Sequence, residues 1–257
     1  MPRYFIEVAY KGTHYAGFQI QDNANTIQAQ VEKALATYFR EPVALTGSSR
    51  TDAGVHARQN FFHFDSDKLS SFPELSKPVY HLNAILPRDI VVKSIRLMSD
   101  GAHSRFDAHS RTYEYSIYSA KDPFLQDTAY FYPFQINIGL LNDFAIELLN
   151  HTDFEAFSKR STQVHTFNCR IHNSEWVYID NLLLYRVTAN RFLRGMVKGL
   201  VGTMIRSAAK QHTIQQFRNI VLSKDPALVD FSVPSHGLTL CSVNYKGNPG
   251  TLSGNPI

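Results

Sequence analysis

The sequence predicts an α+β fold of two ferredoxin-like βαββαβ units, forming a mixed or antiparallel sheet with helices on one side and a central active-site cleft. Three observations carry that prediction. The order strand, helix, strand, strand, helix, strand occurs once in each half of the chain. No tandem sequence repeat accompanies it, so the recurrence is one of architecture. A length of 257 residues suits two modest domains or one large one, and the recurring order favours two. The boundary falls near Asp100 to Arg105, giving domains at 1–104 and 105–246 and a tail at 247–257 whose Gly, Asn, Pro and Ser have little to bury.

In chain order, "RYFIEVAY" (Arg3 to Tyr10) is β-branched and aromatic and reads as a strand. "NTIQAQVEKALATYF" sets Ile27, Val31, Ala34, Leu35, Tyr38 and Phe39 at helical spacing behind an Asn25 or Thr26 cap. "PVALTG" and "ARQNFFHFD" read as two strands that flank a connection, followed by a helix around Pro73 to Ala84 and the strand "DIVVKSIRLM". In the second half "RTYEYSIYS" is a strand and "IGLLNDFAIELLNH" a helix. "SEWVYID" and "LLLYRVTA" are strands joined at Asp180-Asn181. A helix from about Arg191 to Ser207, a short one near Thr213 to Leu222 and the strand "GLTLCSVNY" complete the pattern.

Composition excludes several classes. An apolar content of 44% with 18 Phe and 13 Tyr excludes a disordered chain. Two cysteines, Cys169 and Cys241, make no disulfide framework, and no secretory pattern or long uncharged apolar run is present, so a reducing cytoplasm is the expected location. The net charge is +4, but from Asn181 to Lys224 there is no acid. Arg186, Arg191, Arg194, Lys198, Arg206, Lys210, Arg218 and Lys224 lie in that stretch, which reads either as solvated helix faces or as a surface for nucleic acid. Leu193, Met196, Val197, Leu200, Val201 and Met204 give its helix a core stripe. Gly195, Gly199 and Gly202 occupy the other face, each costing on the order of 1 kcal/mol in a helix, so close approach of another backbone, protein or RNA, is expected there. The charges make a membrane-spanning reading too costly.

The connection "GSSRTDAGVHARQN" (Gly47 to Asn60) concentrates Arg50, Asp52 and His56 among small residues. Asp52 could merely shape a turn with Gly54. Arg50 nearby and Lys198 on the basic glycine face favour a working carboxylate, because a cation keeps an acid ionised under a substrate and available as nucleophile or base. His165, Cys169 and His172 lack the second spaced pair of a zinc site, and no metal is expected. His103 and His109 flank Arg105 and Phe106, a mixture of cation and aromatic that suits RNA. Tyr113, Tyr115 and Tyr118 make an aromatic strand that is either core or a stacking platform.

These residues resemble those of the TruA-type tRNA pseudouridine synthases. The run from Arg50 to Ala57 is similar to the signature G-R-T-D-A-G-V-H-A without a break after its first position. "YKGTHYAGFQIQ" with "TIQAQVEKAL", "HSRFDAHSRTYEYSIY", "ANRFLRGMVKGLVGTM" and "VPSHGLTLCSVNY" resemble the other family motifs, in family order from Tyr4 to Tyr245. The resemblance implies isomerisation of uridine to pseudouridine at positions 38 to 40 of the tRNA anticodon stem-loop, without cofactor or metal, by a homodimer that holds one tRNA across both subunits. It puts Asp52 on the catalytic aspartate and Arg50 on the arginine that enters the helix as the base flips out. Tyr113 falls on the tyrosine that packs on the base, Lys198 on the basic partner of the aspartate, and Leu238 in the apolar motif beside it. His103, Arg105 and Phe106 lie in the segment that meets tRNA; Arg191, Arg194, His165 and Thr166 are further candidates for RNA contact. Lys198 stands where many members have arginine, which replaces a planar fork by a point charge. Ser49 stands where glycine is common, and Lys11 where an acid is frequent.

That chemistry needs the uracil freed from its stack, detached from C1′, turned and rejoined through C5. Asp52 would attack C1′, attack the base, or take the 2′ proton to give a glycal, and each route needs it ionised. Its residues come from both halves, so the pocket is expected in the cleft between them. Rival readings are a non-catalytic RNA-binding module, a base-removing glycosylase and an unrelated metal hydrolase.

Overall fold

The computed structural model describes residues 1–159 and 166–246. The chain folds as two compact units, one of residues 1–109 together with the chain from Leu240 on, the other of residues 110–239. The mobile tail expected at 247–257 lies outside the described residues.

The first unit contains β1 (Arg3–Tyr10), α1 (Ile27–Phe39), β2 (Thr46–Gly47), β3 (His56–Asp65), α2 (Ser76–Ile85) and β4 (Ile90–Leu97). β1 is antiparallel to both β3 and β4, with Ile6 opposite Phe62 on one side and Ile95 on the other. As a central strand it is buried nearly throughout, so apolar residues point to both faces, and the one acid among them, Glu7, is held by Gln59, Ser94 and Arg96. α1 places Ile27, Val31, Ala34, Leu35 and Phe39 in the core, each contributing about 1.5 to 3 kcal/mol by leaving water, apart from the smaller alanine. Its N-terminus is tied to a preceding segment. The Thr26 side chain accepts from Ala29 N, while the Ile27 and Gln28 amides donate to Gly17 O and Phe18 O at 3.1 and 2.9 Å. Donors that a helix start leaves orphaned thus fix the 17–18 backbone.

The strand expected over "PVALTG" shrinks to Thr46 and Gly47. The backbone of Leu45 is engaged by side chains of α1 instead, donating to Glu32 Oε1 at 2.9 Å and accepting from Gln28 Nε2 at 2.9 Å, which leaves nothing for a ladder.

The second unit takes β5 (Ala108–Tyr118) from Ser110, β6 (Tyr130–Phe131), α3 (Ile138–Glu147), β7 (Ile171–Ile179), β8 (Leu182–Ala189), α4 (Met196–Ala209), α5 (Ile214–Leu222) and the start of β9 (Leu238–Tyr245). β8 is antiparallel to β5 and β7, and β6 runs parallel to β5, so this sheet is mixed. Asp180, with φ of +53°, makes the tight turn between β7 and β8. β9 from Leu240 on returns beside β3 in the first unit, where Val243 N donates to Gln59 Oε1 at 3.1 Å and the Tyr245 ring packs 5.4 Å from Phe61.

The helix expected from Arg191 begins at Met196. Gly195 is its cap, at φ +75°, a left-handed backbone that stops the helix from extending backwards, so Arg191 and Arg194 lie in the connection rather than on a helix face. A Cβ at Gly202 would stand 2.3 Å from Asp230 O, and one at Gly199 would stand 2.8 Å from the Phe231 ring. The slim face is therefore filled by residues 229–231 of the same chain. The expected apolar stripe, Leu193 through Met204, is buried throughout.

Candidate active site

The connection between β2 and β3 has little regular structure of its own, and its shape is supplied by residues 10–18. Phe18 N donates to Thr51 O at 3.1 Å, Gly54 N to Tyr15 O at 3.4 Å, and Ser48 N to Phe61 O at 2.7 Å. Val55 N closes a turn on Asp52 O at 3.2 Å, with Gly54 at φ +78°. The approach of the two segments is closest at Gly12, where a Cβ would stand 2.0 Å from Val55 O. Gly17, at φ +108°, lies against the backbone of Thr51 and Asp52.

His56 is buried and belongs to this scaffold. Its Nδ1 accepts from Gly12 N at 2.9 Å, so the acceptor nitrogen carries no proton. Beside it a chain of hydroxyls and an amide runs through the core. Ser48 Oγ donates to Asn60 Oδ1 at 2.7 Å, Asn60 Nδ2 donates to Tyr10 Oη at 3.1 Å and to Ser49 O at 3.0 Å, and Tyr10 Oη lies 2.8 Å from Thr51 Oγ1. Burial pushes the Tyr10 phenol up to about 12 despite those hydrogen bonds, so it stays protonated. The frame leaves Asp52 half-buried and Arg50 exposed, two residues apart in one turn. The Ser49 hydroxyl is buried without a partner, so glycine at that position would lose no hydrogen bond.

In the second unit Tyr113 and Tyr115 share a face of β5, and both are buried. Tyr115 is core: it is fully buried, its hydroxyl donates to Pro234 O at 2.8 Å, and burial pushes its pKa up. Its ring leaves Gly237 no room for a Cβ, which would stand 2.7 Å from Cζ. Tyr113, two residues earlier, meets Phe192 edge to face at 5.0 Å. Tyr118 has the opposite parity and is not on that face, although the expected aromatic face included it; its ring packs 5.3 Å from Phe131. Lys198, in the first turn of α4, donates to Ser235 Oγ at 3.2 Å, and Ser235 lies three residues before the buried Leu238.

His103, Arg105 and Phe106 belong to one exposed turn of the first unit. The Phe106 ring is 74% exposed, with the His103 imidazole stacked 4.1 Å away and the Arg105 guanidinium 5.7 Å from its centroid. Behind them His63 lies 4.5 Å from His103 and shares a hydrogen bond of 2.9 Å with Ser104 Oγ. Thr166 is exposed, Arg191 half-buried and Arg194 exposed, whereas His165 lies outside the described residues.

The basic stretch looks different once folded. Arg186 pairs with Glu114 at 2.8 Å, Arg218 with Glu147 at 2.7 Å and Lys224 with Asp153 at 2.7 Å, while Arg206 donates to Leu228 O. These acids lie far away in sequence, so the run is not a continuous cationic surface. Cys169 is buried and desolvation pushes its thiol up to about 11, that of a packed side chain. Among the described residues no cluster of three or more His, Cys, Asp or Glu could hold a metal ion, and no helix is long and apolar enough to cross a membrane.

Sequence reasoning missed Tyr10, Gly12, Gly17, Ser48 and Asn60 as determinants of the Asp52 loop. The signal available was the density of Gly, Tyr and Thr in "YKGTHYAGF", a stretch without a strand or helix period.

Two segments, residues 6–107 and 144–246, match a family model described as tRNA pseudouridine synthase. Among curated proteins, tRNA pseudouridine synthase A of Parabacteroides distasonis is 40% identical over 245 residues, 95% of this chain and 96% of the relative. The enzyme of the same name from Porphyromonas gingivalis is 39% identical over 250 residues, 96% of this chain and 99% of the relative. That of Staphylococcus aureus strain Newman is 35% identical over 248 residues, 96% and 92%.

Proposed function

The chain belongs to the tRNA pseudouridine synthase family, and on that premise we propose that it isomerises uridine to pseudouridine at positions 38 to 40 of the tRNA anticodon stem-loop, with Asp52 as its catalytic carboxylate. The observation that carries this reading is the turn of Arg50 to Val55, held by the 10–18 segment, with a half-buried acid beside an exposed arginine. A carboxylate that adds to a nucleotide must be held still, and an arginine that takes the place of a flipped base must be free to leave the surface.

In this reading Asp52 acts on a nucleotide extruded from its stack, Arg50 fills the gap, Tyr113 packs on the uracil and Lys198 supplies positive charge near the acid. Leu238 closes the apolar side. His103, Arg105, Phe106, Arg191, Arg194, His165 and Thr166 meet the RNA around the target, in a cytoplasmic homodimer. The units carry these residues on ferredoxin-like frames, a reading supported in the first unit by the pairing β4-β1-β3 with β2 on β3. Phosphate contacts would orient the tRNA without reading its sequence, so affinity falls with rising salt.

The test is to map pseudouridines in tRNA incubated with the wild-type protein and with Asp52→Asn. The expected result is modification of the anticodon stem-loop by the wild type and none by the variant, which still binds tRNA. Turnover by Asp52→Asn near the wild-type rate in a tritium-release assay overturns the assignment.

A further inference from the structure

The hydrogen bonds behind the Asp52 loop form one connected chain. Asn60 is 0% exposed and uses all its capacity: Oδ1 accepts from Ser48 Oγ and from Phe61 N, and Nδ2 donates to Ser49 O and to Tyr10 Oη. These contacts fix which way its amide faces. Tyr10 Oη therefore already accepts a proton from Asn60. Its hydroxyl lies 2.8 Å from Thr51 Oγ1, and either oxygen can donate; with Tyr10 as donor the surplus proton of the pair sits on Thr51, next to Asp52, and with Thr51 as donor it sits on Tyr10 in the core. In the first polarity the donors run Ser48 to Asn60 to Tyr10 to Thr51. Thr51 is only 7% exposed and its carbonyl is held by Phe18 N, so in that polarity its hydroxyl proton is left for a ligand to match.

We propose that Tyr10 is a positioning residue for the reaction: the relay through Asn60 and Tyr10 pins Thr51 and leaves its hydroxyl proton for the nucleotide on which Asp52, the next residue, acts. This rests on the assignment of Asp52 above and extends it to a donor one residue away. The ligand group is an oxygen acceptor of the flipped uridine, a carbonyl or a ribose hydroxyl. Because the Tyr10 phenol stays protonated across the working pH range, the donor is present at every pH at which the acid is ionised.

The experiment measures single-turnover rates and tRNA affinity for Tyr10→Phe, Thr51→Val, the double variant and Thr51→Ser, with melting temperatures alongside. Tyr10→Phe and Thr51→Val are each expected to slow the chemical step about 10-fold, as loss of one donor hydrogen bond does, at unchanged tRNA affinity. The double variant is expected to be no slower than either single one, and Thr51→Ser to retain most of the rate. A wild-type rate for Tyr10→Phe overturns the proposal, as does a double variant slowed by the product of the two single effects. Asp52→Asn in the same assay reports separately. Turnover by that variant sinks the catalytic assignment, whereas a dead Asp52→Asn beside a fully active Tyr10→Phe sinks the relay alone.

Discussion

The Asp52 loop and the acid-free stretch from Asn181 to Lys224 are both dense in residues that carry chemistry, but they use them in opposite ways. In the loop the polar groups that shape the backbone are spent inward, on Tyr10, Gly12, His56 and Asn60, and Arg50 remains exposed. In the basic stretch Arg186, Arg218 and Lys224 are taken up by Glu114, Glu147 and Asp153. The lesson is one of range. A motif whose partners lie within sixty residues on two paired strands can be read as a unit, whereas the effective charge of a run depends on acids that folding brings to it from elsewhere.

Glycine substitutions test the contrast most directly. Gly12→Ala drives a Cβ into the Val55 carbonyl, and the loop has to shift; activity is expected to fall about 100-fold, as misplacement of a reacting group does, with a smaller effect on melting. Gly202→Ala meets the Asp230 carbonyl in the same manner but far from the loop in sequence. It is expected to cost about 1 to 3 kcal/mol, roughly 2 to 4 °C of melting temperature per kcal/mol for a chain of this size, with kcat per folded molecule unchanged. Equal losses of activity in both would erase the distinction.

Ion pairing is expected to give a smaller effect. The Arg218 guanidinium, then His151 and Asn150, hold the buried Glu147 carboxyl down to about 2. Its contribution to stability is complete above the ordinary carboxylate value of 4.5 and is lost as pH falls from there toward 2. Glu147→Gln is expected to lower the melting temperature by a few degrees near neutrality and to flatten its decline in that acidic window. For Arg218→Gln the salt dependence of tRNA binding should not change, since Arg218 is engaged by Glu147 in the wild type. A reduced salt slope for that arginine variant would return Arg218 to the RNA surface.

The smallest effect belongs to His63. Burial first, then the neighbouring His103 and Arg3, push its pKa from 6.5 down to about 4. The unfolded chain then binds the proton near 6.5 and the folded one only near 4, so stability falls as pH drops through that interval. His63→Gln should make the melting temperature less sensitive to pH between 7 and 4, as thermal scans would record.

Regular elements were legible where burial is uniform. β1 and β8 occupy the residues expected, and Thr26 caps α1, because a run of apolar residues or a capping hydroxyl acts locally. Elements failed where tertiary contacts outweighed periodicity: Leu45 gave its backbone to Glu32 and Gln28, and Gly195 took a left-handed φ that cut five residues from the expected start of α4. Within the loop, Arg50 and Asp52 stood out by residue type. Asn60 did not, since a lone amide in an aromatic strand gives no sign of the four partners it satisfies.

The closeness of Gly12 to Val55 has one further implication, for protein engineers. The nine residues from Ser48 to His56 do not contain their own fold; it is lent to them by a strand end and a bend almost forty positions upstream. Transplanted alone onto a foreign hairpin, that peptide would arrive with its aspartate and arginine intact and with nothing to hold them in register.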